Sequence, residues 1–258
     1  MNFKLPDAEK ISYDLLQKTD QIEAPVDLTK IASLWSGLEI SYDDLKDEGY
    51  LLDVGIWGKE IVIRSSTPLP IQRFTIAHEI GHLILRENKI KLDETIVLHS
   101  KAAKNSFIER WCDSFASSLL IPKEWILRDI RQYKIRGLVE GVLNLPSVYQ
   151  VSPSAFRMRI SGITPLSIFD IKQTNKRLIS ERVIDKSFES SSVRQFYLKK
   201  TLEELIPNLE MSAEPVKYVN SDTKMLAVYG LVSKDSDIHK WTVCIFPQAV
   251  SPKSYKPR

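Results

Sequence analysis

The chain has 258 residues, enough for one large domain or two small ones, and its 43% hydrophobic and 27% charged residues are ordinary for a globular protein with a real core. A net charge of +3 does not by itself imply a nucleic-acid partner, and no stretch reaches the roughly 18 uninterrupted apolar residues of a membrane span. The opening MNFKLPDAEK has no apolar signal core, and Cys112 and Cys244 are isolated, without CxxC spacing; together these favour a reducing, cytoplasmic setting and argue against a disulfide framework.

Taken in chain order, residues 7–18 place Ile11, Leu15 and Leu16 at helical spacing. APVDLTKIASLWSG reads as a turn and a second helix closed by Gly37, and LEISYDD as a strand. YLLDVGI and KEIVIRSS form a hairpin around Trp57-Gly58-Lys59, followed by the breaker cluster STPLP. IQRFTIAHEIGHLILRE is apolar on nearly all sides, as a central helix would be, and Pro70 suits its first turn. NKIKLDETIVLHSKAAK reads as a charged surface loop, and the helix of NSFIERWCDSFASSLLIP starts from Asn105 or Ser106 as cap. KEWILRDIRQYK is amphipathic, and the stretch to Ile163 reads as short helices broken by Pro146 and Pro153. Beyond about Thr164 the texture changes to one helix, VRQFYLKKTLEELI, and strand-like MLAVYGLVS and WTVCIF.

His78-Glu79-Ile80-Gly81-His82 is an HExxH motif. Residues four apart share a helix face, so both imidazoles can reach one ion at about 2.0–2.1 Å. Glu79, about 100° round the helix, is placed to act on water as general base. Leu85 and Asn88 occupy the Gly and His positions of HExxHxxGxxH, which excludes a metzincin. Glu109 and Asp113 form an ExxxD pattern on the next long helix. Glu109 would complete a His₂Glu site with an open position for water, and Asp113 is placed to accept the Nδ1–H of a ligand histidine, His78. Glu109, Cys112, Asp113 and Ala116 make one i, i+3, i+4, i+7 stripe, whose small members would let the two helices approach at Gly81. The bland alternative, metal-free helix histidines and a solvated carboxylate, leaves the ExxxD spacing and the small-residue stripe without a reason.

These residues resemble the ImmA/IrrE family of bacterial metallopeptidases. The resemblance rests on PVDLTKIASLWSGLEI, IVIRSSTPLPIQRFTIAHEIGHLIL, IERWCDSFASSLLIP and the looser VYQVSPSAFRMRISGI, from about residue 10 to 163. It implies an α+β fold: a zincin-like helical peptidase domain with a small antiparallel sheet over residues 1–165, including a helix-turn-helix-like segment at 122–163. A small α+β C-terminal domain, regulatory or substrate-docking, would occupy 166–258. The resemblance further implies one Zn²⁺ per chain on His78, His82 and Glu109, with Glu79 as base. Its implied activity is endopeptidase cleavage of a helix-turn-helix repressor, relieving repression in a stress, defence or mobile-element operon. Cys112 departs from the family's usual Ala and reads as a packing variant rather than a further ligand.

Other features are less specific. An added donor to the oxyanion is expected, with His99 and Tyr50 as candidates, though neither has spacing that singles it out. KEIVIRSS is expected to be an edge strand to which an extended substrate could add. Residues 121–160 carry seven basic residues against three acidic ones, Lys123, Arg128, Arg131, Lys134, Arg136, Arg157 and Arg159 against Glu124, Asp129 and Glu140, an excess of four. DNA binding is conceivable there, but a solvated basic face is favoured, with Phe156, Met158 and Ile160 as core. His239 and Cys244 read as structural residues of a buried strand. The competing function is a non-catalytic, zinc-stabilised regulator that binds DNA or a repressor without cutting it; the intact Glu79 argues against it.

Overall fold

A computed structural model describes residues 5–53, 58–87, 101–133, 138–164, 166–174, 177–183, 200, 201, 203–208, 216–220, 225–235 and 238–247. By contacts the chain forms two compact units. One comprises Met1–Trp125 with Ser147–Ser152, the other Ile126–Pro146 with Pro153–Arg258.

The first unit opens with helices α1 (Ala8–Lys18) and α2 (Leu28–Ala32). Each starts at an aspartate whose carboxylate accepts backbone N–H groups: Asp7 from Glu9 and Lys10, Asp27 from Thr29 and Lys30. Such a cap contributes about 1 kcal/mol. Three strands follow, β1 (Leu38–Asp43), β2 (Gly49–Asp53) and β3 (Lys59–Arg64). Their order is β1-β3-β2, with β1 parallel and β2 antiparallel to β3, so the sheet is mixed rather than purely antiparallel.

KEIVIRSS is therefore not the edge strand that was expected. β3 is central, and Ile61, Val62 and Ile63 are all buried. A strand covered on both faces reads as an unbroken apolar run, as Ile61-Val62-Ile63 does. The edges are β1 and β2.

Helix α3 (Leu69–Glu87) carries the HExxH motif and buries Thr75, Ile76, Ala77, Ile80, Gly81, Leu83, Ile84 and Leu85. Against it packs α4 (Lys101–Leu120), which in turn receives α1. α4 begins a turn before the expected cap at Asn105 or Ser106, because Lys101-Ala102-Ala103-Lys104 are strong helix formers that extend it backwards. The rest of the charged stretch, 88–100, including His99, lies outside the described residues.

Helix α5 (Lys123–Gln132) begins in the first unit and continues into the second. Helices α6 (Leu138–Val148) and α7 (Pro153–Ile163) follow. Pro146 does not break α6 but sits in its last turn, where one missing hydrogen bond costs little because the helix ends two residues on. Pro153 opens α7, where its lack of an N–H is harmless. Phe156 and Ile160 are buried as expected, whereas Met158, two residues and so about 200° round the helix, is 44% exposed.

The second unit also holds a five-stranded antiparallel sheet of order β5-β4-β8-β7-β6. Its strands are β4 (Ser167–Thr174), β5 (Arg177–Val183), β6 (Val216–Asn220), β7 (Met225–Asp235) and β8 (Ile238–Pro247). In β8, Trp241, Val243, Cys244 and Ile245 are buried, while His239 is half-buried. Among the described residues no helix is long and apolar enough to cross a membrane.

Candidate metal centre

α3 and α4 meet at Gly81. A Cβ there would lie 3.2 Å from the Phe115 ring and 3.4 Å from Cα and Cβ of Cys112, so only glycine leaves the neighbouring side chains undisturbed. Phe115 is held in turn by stacking on Trp111, 5.6 Å between centroids, whose indole N–H donates to the Pro6 carbonyl at 2.8 Å. This close crossing places the i, i+4 histidine pair of one helix opposite the i, i+4 carboxylate pair of the other.

Nε2 of His78 stands 3.1 Å from Nε2 of His82 and 3.1 Å from Oε2 of Glu109, and Nε2 of His82 is 3.5 Å from that same oxygen. Three donors bonded to one tetrahedral ion at about 2.0–2.1 Å must lie roughly 3.3–3.4 Å apart. The residues thus fit a zinc ion.

Asp113 completes the frame. Its Oδ1 lies 2.9 Å from Nδ1 of His78, and with that nitrogen donating its proton, Nε2 keeps its lone pair for the site. Burial pushes the Glu79 carboxyl above its ordinary value; His82 and His78 pull it down less strongly, and Glu109 adds to the rise. A base so shifted titrates nearer neutrality, where general-base catalysis is most effective.

Cys112 also reaches the centre: its sulfur and the nitrogens of His78 and His82 lie within 4.8 Å of one another. The Glu109 oxygen stands 3.1 and 3.5 Å from the same two nitrogens. The fully buried Cys112 thiol is pushed up to about 12 by burial first, then by Glu109, Glu79 and Asp113. Without a metal it is neutral across the physiological range, so binding an ion through its sulfur would require that proton to leave. Its approach to the histidines follows from standing on the stripe that faces Gly81.

Of the two oxyanion candidates, Tyr50 lies on β2, 40% exposed and paired with Val62, while His99 is outside the described residues. β2 is tied to the metal-site helix at Gly49, where a Cβ would lie only 2.8 Å from the Thr75 side chain, one turn before His78.

Comparison with curated proteins returns no match. Among solved structures, a Mycobacterium tuberculosis transcriptional regulator is similar in fold at 13% identity, with a TM-score of 0.53 over 93% of this chain and 75% of that one. The model of the IrrE N-terminal-like domain, Peptidase_M78, matches residues 36–161, a span that contains both helices of the metal centre. Residues 36–161 thus form an IrrE N-terminal-like domain of the Peptidase_M78 kind.

Proposed function

We propose that the chain is a zinc-dependent endopeptidase that cleaves one partner protein, a helix-turn-helix transcriptional repressor. The observation that carries this reading is the convergence of His78, His82 and Glu109 within 3.1–3.5 Å beside the half-buried Glu79. Bound there, zinc supplies Lewis acidity towards the scissile carbonyl and makes water acidic enough to react at neutral pH. Glu79 takes the proton of the attacking water and returns it to the leaving amine. Asp113 holds the His78 ring in one tautomer. An extended substrate adds to β2, the antiparallel edge strand held against α3 at Gly49 and Thr75, with Tyr50 on that strand as oxyanion donor. Residues 166–258 then serve regulation or substrate docking.

The experiment is to incubate the zinc-loaded protein with casein and, separately, with a helix-turn-helix repressor encoded beside it. Cleavage of the repressor at one or a few sites, abolished by Glu79→Gln, is expected. Rapid digestion of casein at many sites with no preference for the repressor would sink the regulatory reading.

The proximity of Cys112 to the histidines favours a second reading, a non-catalytic regulator whose site is closed by a fourth protein ligand. Cobalt substitution separates the two. A sulfur-to-cobalt charge-transfer band, lost in Cys112→Ala, together with a repressor bound but left intact, would support the closed site.

A further inference from the structure

Away from the metal centre, the first unit contains a groove of about 530 Å³ bounded by α2, β1 and the first two turns of α3. That volume is typical of a site for a small organic ligand. Its walls are branched and aliphatic, with Val26, Leu28 and Ile76 buried beneath and Leu38, Ile40 and Leu69 reaching the surface. Several of these are not covered by protein: Leu69 is 52% exposed, and Leu38 and Ile40 are half-buried.

One cation lines this apolar groove. Arg73 donates from Nη2 to the Val26 carbonyl at 2.6 Å, while its Nε is buried without a hydrogen-bond partner. Among the described residues no carboxylate forms an ion pair with it. Asp27 lines the same groove, but its Oδ1 is engaged at 2.9 and 3.1 Å by the Thr29 and Lys30 amides as the cap of α2. Burial accordingly pushes the Arg73 guanidinium below its ordinary value, with Asp27 and Tyr42 opposing the shift only in part. A guanidinium has five N–H donors in a fork that matches a carboxylate, and this half-buried one, with a single hydrogen bond and its charge only partly offset by Asp27, keeps capacity for an anion.

We propose that this groove binds a medium-chain aliphatic carboxylic acid, its chain against Leu38, Ile40, Leu69 and Ile76 and its carboxylate on Arg73. A peptide fits less well. The β1 residues that line the groove, Leu38, Ile40 and Tyr42, alternate along the strand, so the groove meets a side-chain face of β1 and not its hydrogen-bonding edge. The proposal does not depend on the peptidase reading, since it invokes no residue of the metal centre.

The test is calorimetric titration and thermal melting of the full zinc-loaded chain with decanoate, decanol and decylamine. Saturable one-to-one binding of decanoate that raises Tm is expected, with decanol and decylamine at least tenfold weaker. Arg73→Gln, which keeps an N–H for the Val26 carbonyl and removes the charge, should weaken decanoate at least tenfold with zinc content unchanged. Leu69→Asp, an acidic change at an exposed first-turn position that a helix tolerates, should weaken it similarly. Binding of decanol as tight as decanoate, indifference to Arg73→Gln, or no saturable binding would each overturn the proposal. So would tighter binding of a short apolar peptide carboxylate than of decanoate.

Discussion

Oδ1 of Asp113 lies 2.9 Å from Nδ1 of His78, so a carboxylate on α4 decides which nitrogen of a histidine on α3 faces His82 and Glu109. Asp113→Asn keeps the size of the side chain but removes the charge that favours this tautomer. Zinc affinity or activity should fall roughly 10–100-fold with the fold intact. Unchanged affinity and activity in a competitive chelator titration would reduce Asp113 to an ordinary helix carboxylate.

Glu109 and Glu79 should separate cleanly. Glu109→Ala removes the oxygen that stands 3.1 and 3.5 Å from the two imidazoles and should strip the metal from the purified protein. Glu79→Gln should retain about one zinc per chain and lose hydrolysis. Metal analysis decides, and full zinc occupancy in Glu109→Ala would remove the third ligand.

The raised Glu79 carboxyl has a consequence for stability in the chelated protein. Because burial lifts its folded value above the unfolded one, the protonated form favours the fold. That contribution is fully present below the unfolded value and is lost as pH rises through the folded one. Glu79→Gln should thus be more stable than the parent at neutral pH, with the gap closing as pH falls from the raised folded value to about 4. Urea unfolding of both metal-free proteins across this range measures it; a gap that widens on acidification would contradict the burial argument.

At Gly81 the outcome depends on size. Alanine gains about 1 kcal/mol of helix propensity, but its Cβ would lie 3.2 Å from Phe115 and 3.4 Å from Cys112, so the two effects nearly cancel. Valine cannot be accommodated without separating α3 from α4 and should cost about 1–3 kcal/mol by overpacking. It should also lower zinc affinity, since moving the helices apart draws Glu109 away from the histidines. Denaturant unfolding and metal titration of both variants check this. Gly81→Val with parental zinc affinity would show that the crossing does not set the ligand spacing.

The sequence by itself determined which residues could meet. HExxH on an all-round apolar helix, ExxxD on the next and a small-residue stripe between them require only the 3.6-residue period, and His78, His82, Glu109 and Asp113 converge as that period places them. Both capping aspartates stand immediately before the first turns they cap. The tertiary structure decided what period alone leaves open. Strand order depends on pairing between distant segments, so only the fold shows that β1 returns parallel beside β3 and leaves β1 and β2 as the edges. The burial of all three of Ile61, Val62 and Ile63 was the local trace of that arrangement. Met158 faces outward because helical rotation, not hydrophobicity, assigns its side. Cys112 and Arg73 show the same limit. One reaches the histidines and the other meets Asp27 and the Val26 carbonyl through neighbours brought together from separate segments of the chain, and no local pattern records such neighbours.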